Sequence, residues 1–391
     1  MTKSPEELFG ERCQRLIDVR NLKEPDYTPF YLLAEEWSVY YHGKYNVGEV
    51  HYDYTKCGEI AEHLVRTIPQ DAWGGPQYIW PGPVLDAIGS NTYKIPGRDL
   101  DPKLQQQFPQ DKEYMTPEEY PEFIDDPFAF LVEKGIPRRH SALEKSPRKE
   151  IAFAKGALAF NEWWTYVGSL VVKIIQEYGI PPVVQGLCAS SPLGVIEDHL
   201  RTFPGICLDI KRYPEEVKAA CDALVPVLVK LSEFVYEKPT PFPYIFIPLH
   251  IGQFLRPKDF EEIYWPSFKK LAETLIKDGY TPHYYAEAKW TPYIEFLAEL
   301  PKGSVWIFED VDFEKVDKIC DNLCFGGTLT TDLLRYGTKE KVISEAKAQM
   351  EKFGPRGGFV LTANKDLMDP NDAKYENVVA LAKFINEEYR R

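Results

Sequence analysis

His250, Glu287 and the adjacent acids Glu309 and Asp310 stand where chemistry is plausible, because each follows directly on a short apolar or aromatic run. Tyr244–Leu249 precedes His250, His283–Ala286 precedes Glu287, and Val305–Phe308 precedes Glu309. In parallel α/β architectures ligands bind at the carboxyl ends of the strands. An imidazole in that position works as a general acid or base, or as a metal ligand. With Glu287 and one of the two neighbouring acids, His250 makes an N/O donor set able to hold Zn²⁺. A plainer reading stands beside this one: His250 hydrogen-bonded at the top of the core, Glu287 in a salt bridge with Lys289 or an arginine, and Asp312 capping a helix. His283 lies four residues before Glu287, about 13 Å away along a strand, and is not expected to be its co-ligand.

Other polar side chains fall near the same ends. Gln185 lies within an earlier run, Gln253 follows His250, Tyr285 and Trp290 flank Glu287, and Asn364 and Asp366 follow Gly358–Thr362. These are the candidate substrate contacts. Gly326-Gly327-Thr328 offers backbone amides to an anion, although paired glycines also serve tight turns. Aromatic residues make up 14% of the chain. Most are expected to pack the core, and those near strand ends would suit an apolar or planar ligand. No Walker loop, Gly-x-Gly-x-x-Gly, His-Glu-x-x-His or Gly-x-Ser-x-Gly pattern is present, which removes several enzyme classes.

The elements that must position these residues alternate. Strand-length runs are expected at Val183–Leu187, Tyr244–Leu249, His283–Ala286, Val305–Phe308, Leu323–Phe325 and Gly358–Thr362, each followed by a helical pattern. Lys258–Asp278 carries an apolar face with a kink at Pro266, Thr291-Pro292 opens a helix running to Leu300, and Asp312 and Thr338 cap two more. Strand and helix in alternation mean a parallel sheet, since each parallel neighbour needs a crossover. Two further strands are expected upstream, near Gln77–Trp80 and within residues 83–95. The expectation is a (β/α)8 TIM barrel forming one domain over residues 1–391, with residues 1–150 as an N-terminal extension plus the first barrel elements.

Composition excludes other classes. A chain of 391 residues with 44% hydrophobic and 27% charged residues can bury a large core. Its net charge of −14, without a basic run, speaks against nucleic acid. The most apolar stretch, 156–175, is broken by Asn161, Glu162 and Lys173 and reads as a buried amphipathic helix, not a membrane span. No signal-peptide core follows Met1, and seven cysteines lie scattered without a Cys-x-x-Cys pair, so the chain is expected in the cytoplasm with reduced thiols.

Several motifs occur in a telling order: Phe260-x-x-Ile263-Tyr264-Trp265-Pro266, Gly326-Gly327 followed by Leu333-Leu334-x-x-Gly337-Thr338-x-x-x-Val342, and Gly357-Gly358-Phe359-Val360-Leu361 with Glu376-Asn377. Weaker echoes are Glu113-Tyr114-Met115 and Asp126-Pro127. In these the chain resembles the uroporphyrinogen decarboxylase-like superfamily, which contains tetrapyrrole decarboxylases and cobalamin-dependent methyltransferases. The resemblance implies a barrel with a deep cavity at its mouth. True uroporphyrinogen decarboxylases carry a Met-Arg-Gln-Ala-Gly-Arg pattern near their start, which residues 1–60 lack, so the methyltransferase branch is the nearer one. The zinc methyltransferases of the superfamily use a His-x-Cys motif and a later cysteine. Tyr285 and Glu287 take the first two places here, and Ala363–Asp366 the neighbourhood of the third.

The expected function is therefore methyl transfer from a small methylated substrate, aromatic or aliphatic, to a separate corrinoid protein. Glu287, His250, Asp310 and Glu309 are the catalytic candidates, with Zn held by Glu287 and His250. A homodimer is admissible. The alternatives are a decarboxylase or lyase on a non-porphyrin acid and a ligand-binding barrel without chemistry.

Overall fold

Apolar runs in this chain pair side by side in parallel. The computed structural model describes residues 3–74, 79–184, 190–233 and 241–390. In it β1 (Tyr31–Leu32) pairs with β2 (Ala72–Trp73), and β3 (Ile245–Leu249), β4 (Pro282–Lys289), β5 (Val305–Asp310) and β6 (Cys324–Gly326) form a parallel sheet in sequence order. Single parallel bridges continue the pairing from Trp73 to Pro182, from Val184 to Tyr244, from Phe325 to Phe359 and from Phe30 to Leu361. Parallel neighbours require crossovers, and helices supply them. Trp265–Lys277 joins β3 to β4, Phe313–Ile319 joins β5 to β6, and Lys339–Phe353 follows β6.

The alternation of side chains along each strand splits the core in two. Tyr31, Leu33, Tyr244, Tyr285, Val305, Ile307, Cys324 and Val360 pack with one another on one side of the strands. Phe30, Leu32, Ile245, Ile247, Leu249, Tyr284, Ala286, Trp306, Phe308, Phe359 and Leu361 face the helices. On the first side Tyr31 Oη meets His283 Nε2 at 2.8 Å. Burial pushes the His283 imidazole down to about 3, so it stays neutral, a core residue enclosed among Tyr31, Tyr244 and Phe246.

Several local expectations are corrected. Gly358–Thr362 pairs only through single bridges, because Gly357 and Gly358 both adopt positive φ (67° and 70°) and interrupt the extended run. Residues 83–95 hold no strand: Gly82–Ile88 is a helix, with proline in its first turn and Gly89 ending it in the left-handed region. Gln77 and Tyr78 lie outside the described residues, as do 185–187 of the Val183–Leu187 run. The upstream strands are β1 and β2, each two residues long and so without a periodic signature. Thr291 does not cap a helix; Thr291–Tyr293 is a 3₁₀ turn, and Thr291 Oγ1 accepts from the Asp312 amide at 3.0 Å. Asp312 and Thr338 do cap their helices.

The N-terminal part is tied in by charge. Arg15 pairs with Asp71 at 2.8 Å, and Asp71 also accepts from the Phe30 amide at the start of β1 (2.8 Å). The apolar stretch 156–175 belongs to one helix, Arg148–Tyr178. One of its faces is buried, that of Ala152, Gly156, Trp163, Val167, Leu170 and Ile174, as an amphipathic helix requires. No helix among the described residues is long and apolar enough to cross a membrane.

Candidate active site

Strand parity decides which polar residues share the space at the carboxyl ends. On β4 His283 and Tyr285 face the inner side, so Glu287, two residues on, continues that row. On β5 Val305 and Ile307 put Glu309 inward and Asp310 on the helix side, where its side chain is exposed. His250 continues the Tyr244–Phe246 row of β3. Directly after Glu287 the β4–β5 register shifts, and Ala288 takes a positive φ of 52°. Such a bulge ends pairing and re-aims the side chains beside it.

His250 and Glu287 do come together: Nε2 of the imidazole is 3.5 Å from Glu287 Oε1. The other ring nitrogen, Nδ1, lies 2.8 Å from Asp198 Oδ2, a partner that the sequence did not suggest. Gln110 Nε2 donates to the remaining Asp198 oxygen at 2.7 Å. Asp198 and its neighbour Glu197 open a π-helical turn, Glu197–Arg201, that follows the Pro192–Ile196 helix capped by Ser191. A π-turn displaces side chains from the regular helical faces, which is why such turns recur at functional sites.

Burial alone would hold the His250 imidazole neutral. The hydrogen bond and charge of Asp198, reinforced by Glu287 and Glu197, overcome it and push the pKa up to about 9. Asp198 is held below its usual range: burial opposes ionisation, and the bond to His250 outweighs it. Burial and then the charge of Asp198 raise Glu197 to about 8, so it keeps its proton at neutral pH. Glu287 is raised by burial, which the positive charge of His250 offsets only in part because Glu309 and Asp198 also repel. At pH 7 the group thus holds an imidazolium between Asp198 and Glu287, with a protonated Glu197 beside it.

A second acidic group lies next to Glu287. Burial, followed by the neighbouring acids, raises Glu35 well above the usual range, and burial takes Asp366 to about 7. Tyr285 sits among Asp366, Glu287 and Glu35, its buried hydroxyl turned to the Asp366 carboxyl.

The remaining sequence candidates take supporting places. Glu309 pairs with Lys365 at 2.8 Å and accepts from the Ala288 amide at 2.7 Å, which pins the bulge. Gln253 Nε2 donates to the His250 carbonyl at 3.0 Å. Asn364 joins the Glu309 carbonyl (3.0 Å) to the Thr331 amide (2.9 Å). Trp290 is buried on the helix side and donates its indole N–H to the Glu287 carbonyl at 2.9 Å. Gln185 lies outside the described residues. Asp198, Glu197 and Gln110 were missed, and the one signal for them was the run of ionisable residues Glu197-Asp198-His199 shortly after a strand.

Among the described residues, two donor sets could take a cation. Glu197, Asp198 and His250 bring one donor atom each within 4.8 Å of the others. His250 Nε2 and Glu287, 3.5 Å apart, stand at about the separation of two ligands on one tetrahedral ion.

The sequence profile of the uroporphyrinogen decarboxylase (URO-D) family matches residues 189–387, more than half of the chain. The chain belongs to the uroporphyrinogen decarboxylase family. Its URO-D region takes in Glu197, Asp198, His250, Glu287, Glu309 and Asp366, while Glu35 and Gln110 come from the part before it. Among solved structures, a methyltransferase from Methanosarcina mazei is similar to this chain with a TM-score of 0.62, over 97% of this chain and 99% of that one, at 15% identity. At that identity the likeness is one of fold. No curated protein matches this URO-D family chain.

Proposed function

We propose that this protein is a methyltransferase of the URO-D family that moves a methyl group from a small methylated substrate to the cobalt of a separate corrinoid protein. The observation that carries the reading is the His250 imidazole, fixed through Nδ1 by Asp198 and facing Glu287 through Nε2. Demethylation breaks the bond between the methyl carbon and a heteroatom, and the electron pair stays on the heteroatom. His250 Nε2–H then gives that atom its proton, while Asp198 holds the ring in orientation and retains its own charge. The corrinoid's cobalt(I) supplies the electron pair for the new bond to carbon. The row Trp80, Tyr93, Phe108, His199, with ring centroids 4.8, 5.1 and 5.9 Å apart, leads to the residue next to Asp198 and supports a planar, aromatic substrate. A zinc ion would take the place of that proton: held by the deprotonated His250 Nε2 and Glu287, it would supply Lewis acidity to the leaving atom where the imidazolium would otherwise supply a proton.

The likeness in fold to the Methanosarcina mazei methyltransferase supports the same reading. So does the chain of parallel neighbours running from β1 through β2, 182–184 and β3 to β6, then 359–361, and back to β1, which we take for a closed (β/α)8 barrel. A decarboxylase of a non-porphyrin acid is the second reading. Arg139 favours it: this guanidinium is largely buried within reach of the charge of Asp198, and its Nε has no hydrogen-bond partner.

Anaerobic incubation with a cobalt(I) corrinoid and a panel of methyl ethers, thioethers and amines tests the proposal. The corrinoid spectrum is expected to change with one donor class, and His250→Ala to lower the rate about 10²- to 10⁴-fold. No change with any donor, or release of CO₂ from a carboxylic acid, overturns it. Metal content of the purified protein before and after Glu287→Ala decides whether zinc takes part.

A further inference from the structure

Among the described residues, every arginine withdrawn from solvent but one is bonded to its own chain. Arg15 and Arg201 meet buried aspartates, and Arg138 takes Glu119 in its fork at 2.7 and 2.9 Å. Arg139, the next residue, is the exception: no hydrogen bond or ion pair within the described residues reaches its guanidinium, and Nε is buried without a partner. Burial pulls its pKa down, but a guanidinium starts so high that it keeps its charge at neutral pH. A largely buried charge without a partner is costly. The acid whose charge it feels, Asp198, is already taken: one oxygen accepts from Gln110 at 2.7 Å and the other meets His250 at 2.8 Å.

Two further buried nitrogens near Arg139 also lack partners. They are Nδ1 of His140 and Nδ1 of His199, and both rings feel the charge of Arg139. His199 is the last ring of the row that begins at Trp80, and Tyr93, the second ring, is within reach of the same guanidinium. The unpaired cation and the aromatic row therefore border one space, next to Asp198 and His250.

We propose that Arg139 is a specificity residue of the candidate active site, holding the carboxylate of a planar aromatic acid whose ring lies along the row from Trp80 to His199. A guanidinium fork matches a carboxylate with two parallel N–H···O bonds, and the flat group continues the plane of the ring that stacks. The carboxylate is a handle and does not react. Arg139 ends the short helix Ile136–Arg139, and the antiparallel bridge from Ser90 to His140 fixes the residue after it. Both precede the URO-D region, so the N-terminal part adds selectivity to a site whose acid and base come from that region. The inference names a substrate class for the proposed methyl transfer and rests on that reading for the reacting group alone. Binding needs no corrinoid, so the two fail separately: release of CO₂ overturns the methyl-transfer reading and leaves the subsite in place.

Calorimetric titration of the full chain with benzoate, and with benzamide, which has the same shape and no charge, tests this. Benzoate is expected to bind at millimolar concentration or below, and benzamide ~10- to 100-fold more weakly, the effect of hydrogen bonds between charged groups. Arg139→Met, uncharged and of similar reach, is expected to lose that preference. Arg139→Lys keeps the charge without the fork and is expected to retain part of it. Removing an unpaired charge from a poorly solvated place does not weaken the fold, so Arg139→Met is expected to melt at the wild-type temperature or above. A melting temperature several degrees lower gives the arginine a structural role and overturns the proposal. So does a failure of benzoate to bind, equal binding of benzamide, or a preference that survives Arg139→Met. Tighter binding of phenyl phosphate than of benzoate overturns it in favour of a phosphate subsite.

Discussion

Nδ1 of His250 and Oδ2 of Asp198 stand 2.8 Å apart although 52 residues separate them in the chain. The carboxylate is nearly enclosed and the imidazole half-buried, so the pair shares a proton in a setting poor in water. The pKa of His250 is thereby raised from 6.5 to about 9. A group raised on folding lends stability that is complete below its unfolded pKa and is lost as pH rises through the folded value. Activity that needs the imidazolium follows the same limb and is expected to fall about tenfold per pH unit above 9. Asp198→Asn removes the charge that holds the proton, so the limb moves towards neutral pH. The pH–rate profile of both proteins, with the His250 resonance followed by NMR, checks this.

Asp366 gives the opposite consequence for an acid. Its pKa rises from 3.8 to about 7, mainly by burial, next to Glu35, which burial also raises well above its usual range. The protonated form is the one the fold prefers, so this contribution is present below the unfolded pKa and is lost as pH rises through about 7. Asp366→Asn is neutral throughout. It is expected to melt above the wild type at pH 8, by on the order of 2 °C, and to lose that advantage at pH 4. Thermal melts at the two pH values measure it.

Tyr31 and His283 form a buried hydrogen bond of 2.8 Å on the inner side of the strands. Tyr31→Phe keeps the ring and leaves the imidazole without that partner. A loss of about 1–3 kcal/mol is expected, read from urea unfolding, with no change in metal content.

Arg201 and Asp209 are both buried and meet at 2.6 Å, and Tyr120 also donates to Asp209 at 2.9 Å. Asp209→Ala strands the guanidinium and is expected to cost about 3–5 kcal/mol. Arg201 is the last residue of the π-turn that carries Glu197 and Asp198, so the same variant is expected to disturb the His250 titration. Asp209→Asn, with its shape kept, separates the charge from the packing.

Much was legible in the sequence because a strand has a period of two. Once Tyr244, Tyr285 and Ile307 are known to face inward, His250, Glu287 and Glu309 must follow them, and Asp310 and Trp290 must not. What the sequence lacked was the inward direction itself, so Asp310 and Trp290 stood among the candidates on equal terms. The two-residue strands at Tyr31 and Ala72 could not be seen, since two residues carry no period.

By itself, then, the sequence determined the alternation of strands and helices and the ends at which polar residues collect, since local periodicity and capping are properties of neighbouring residues. Only the tertiary structure decided which groups share a proton. Asp198 reaches His250 from a π-turn, Gln110 from the N-terminal segment, and Glu35 reaches Asp366 from the far end of the chain. Hydrogen bonding and electrostatic coupling depend on distance in space, and the spacing of residues along the chain does not encode it.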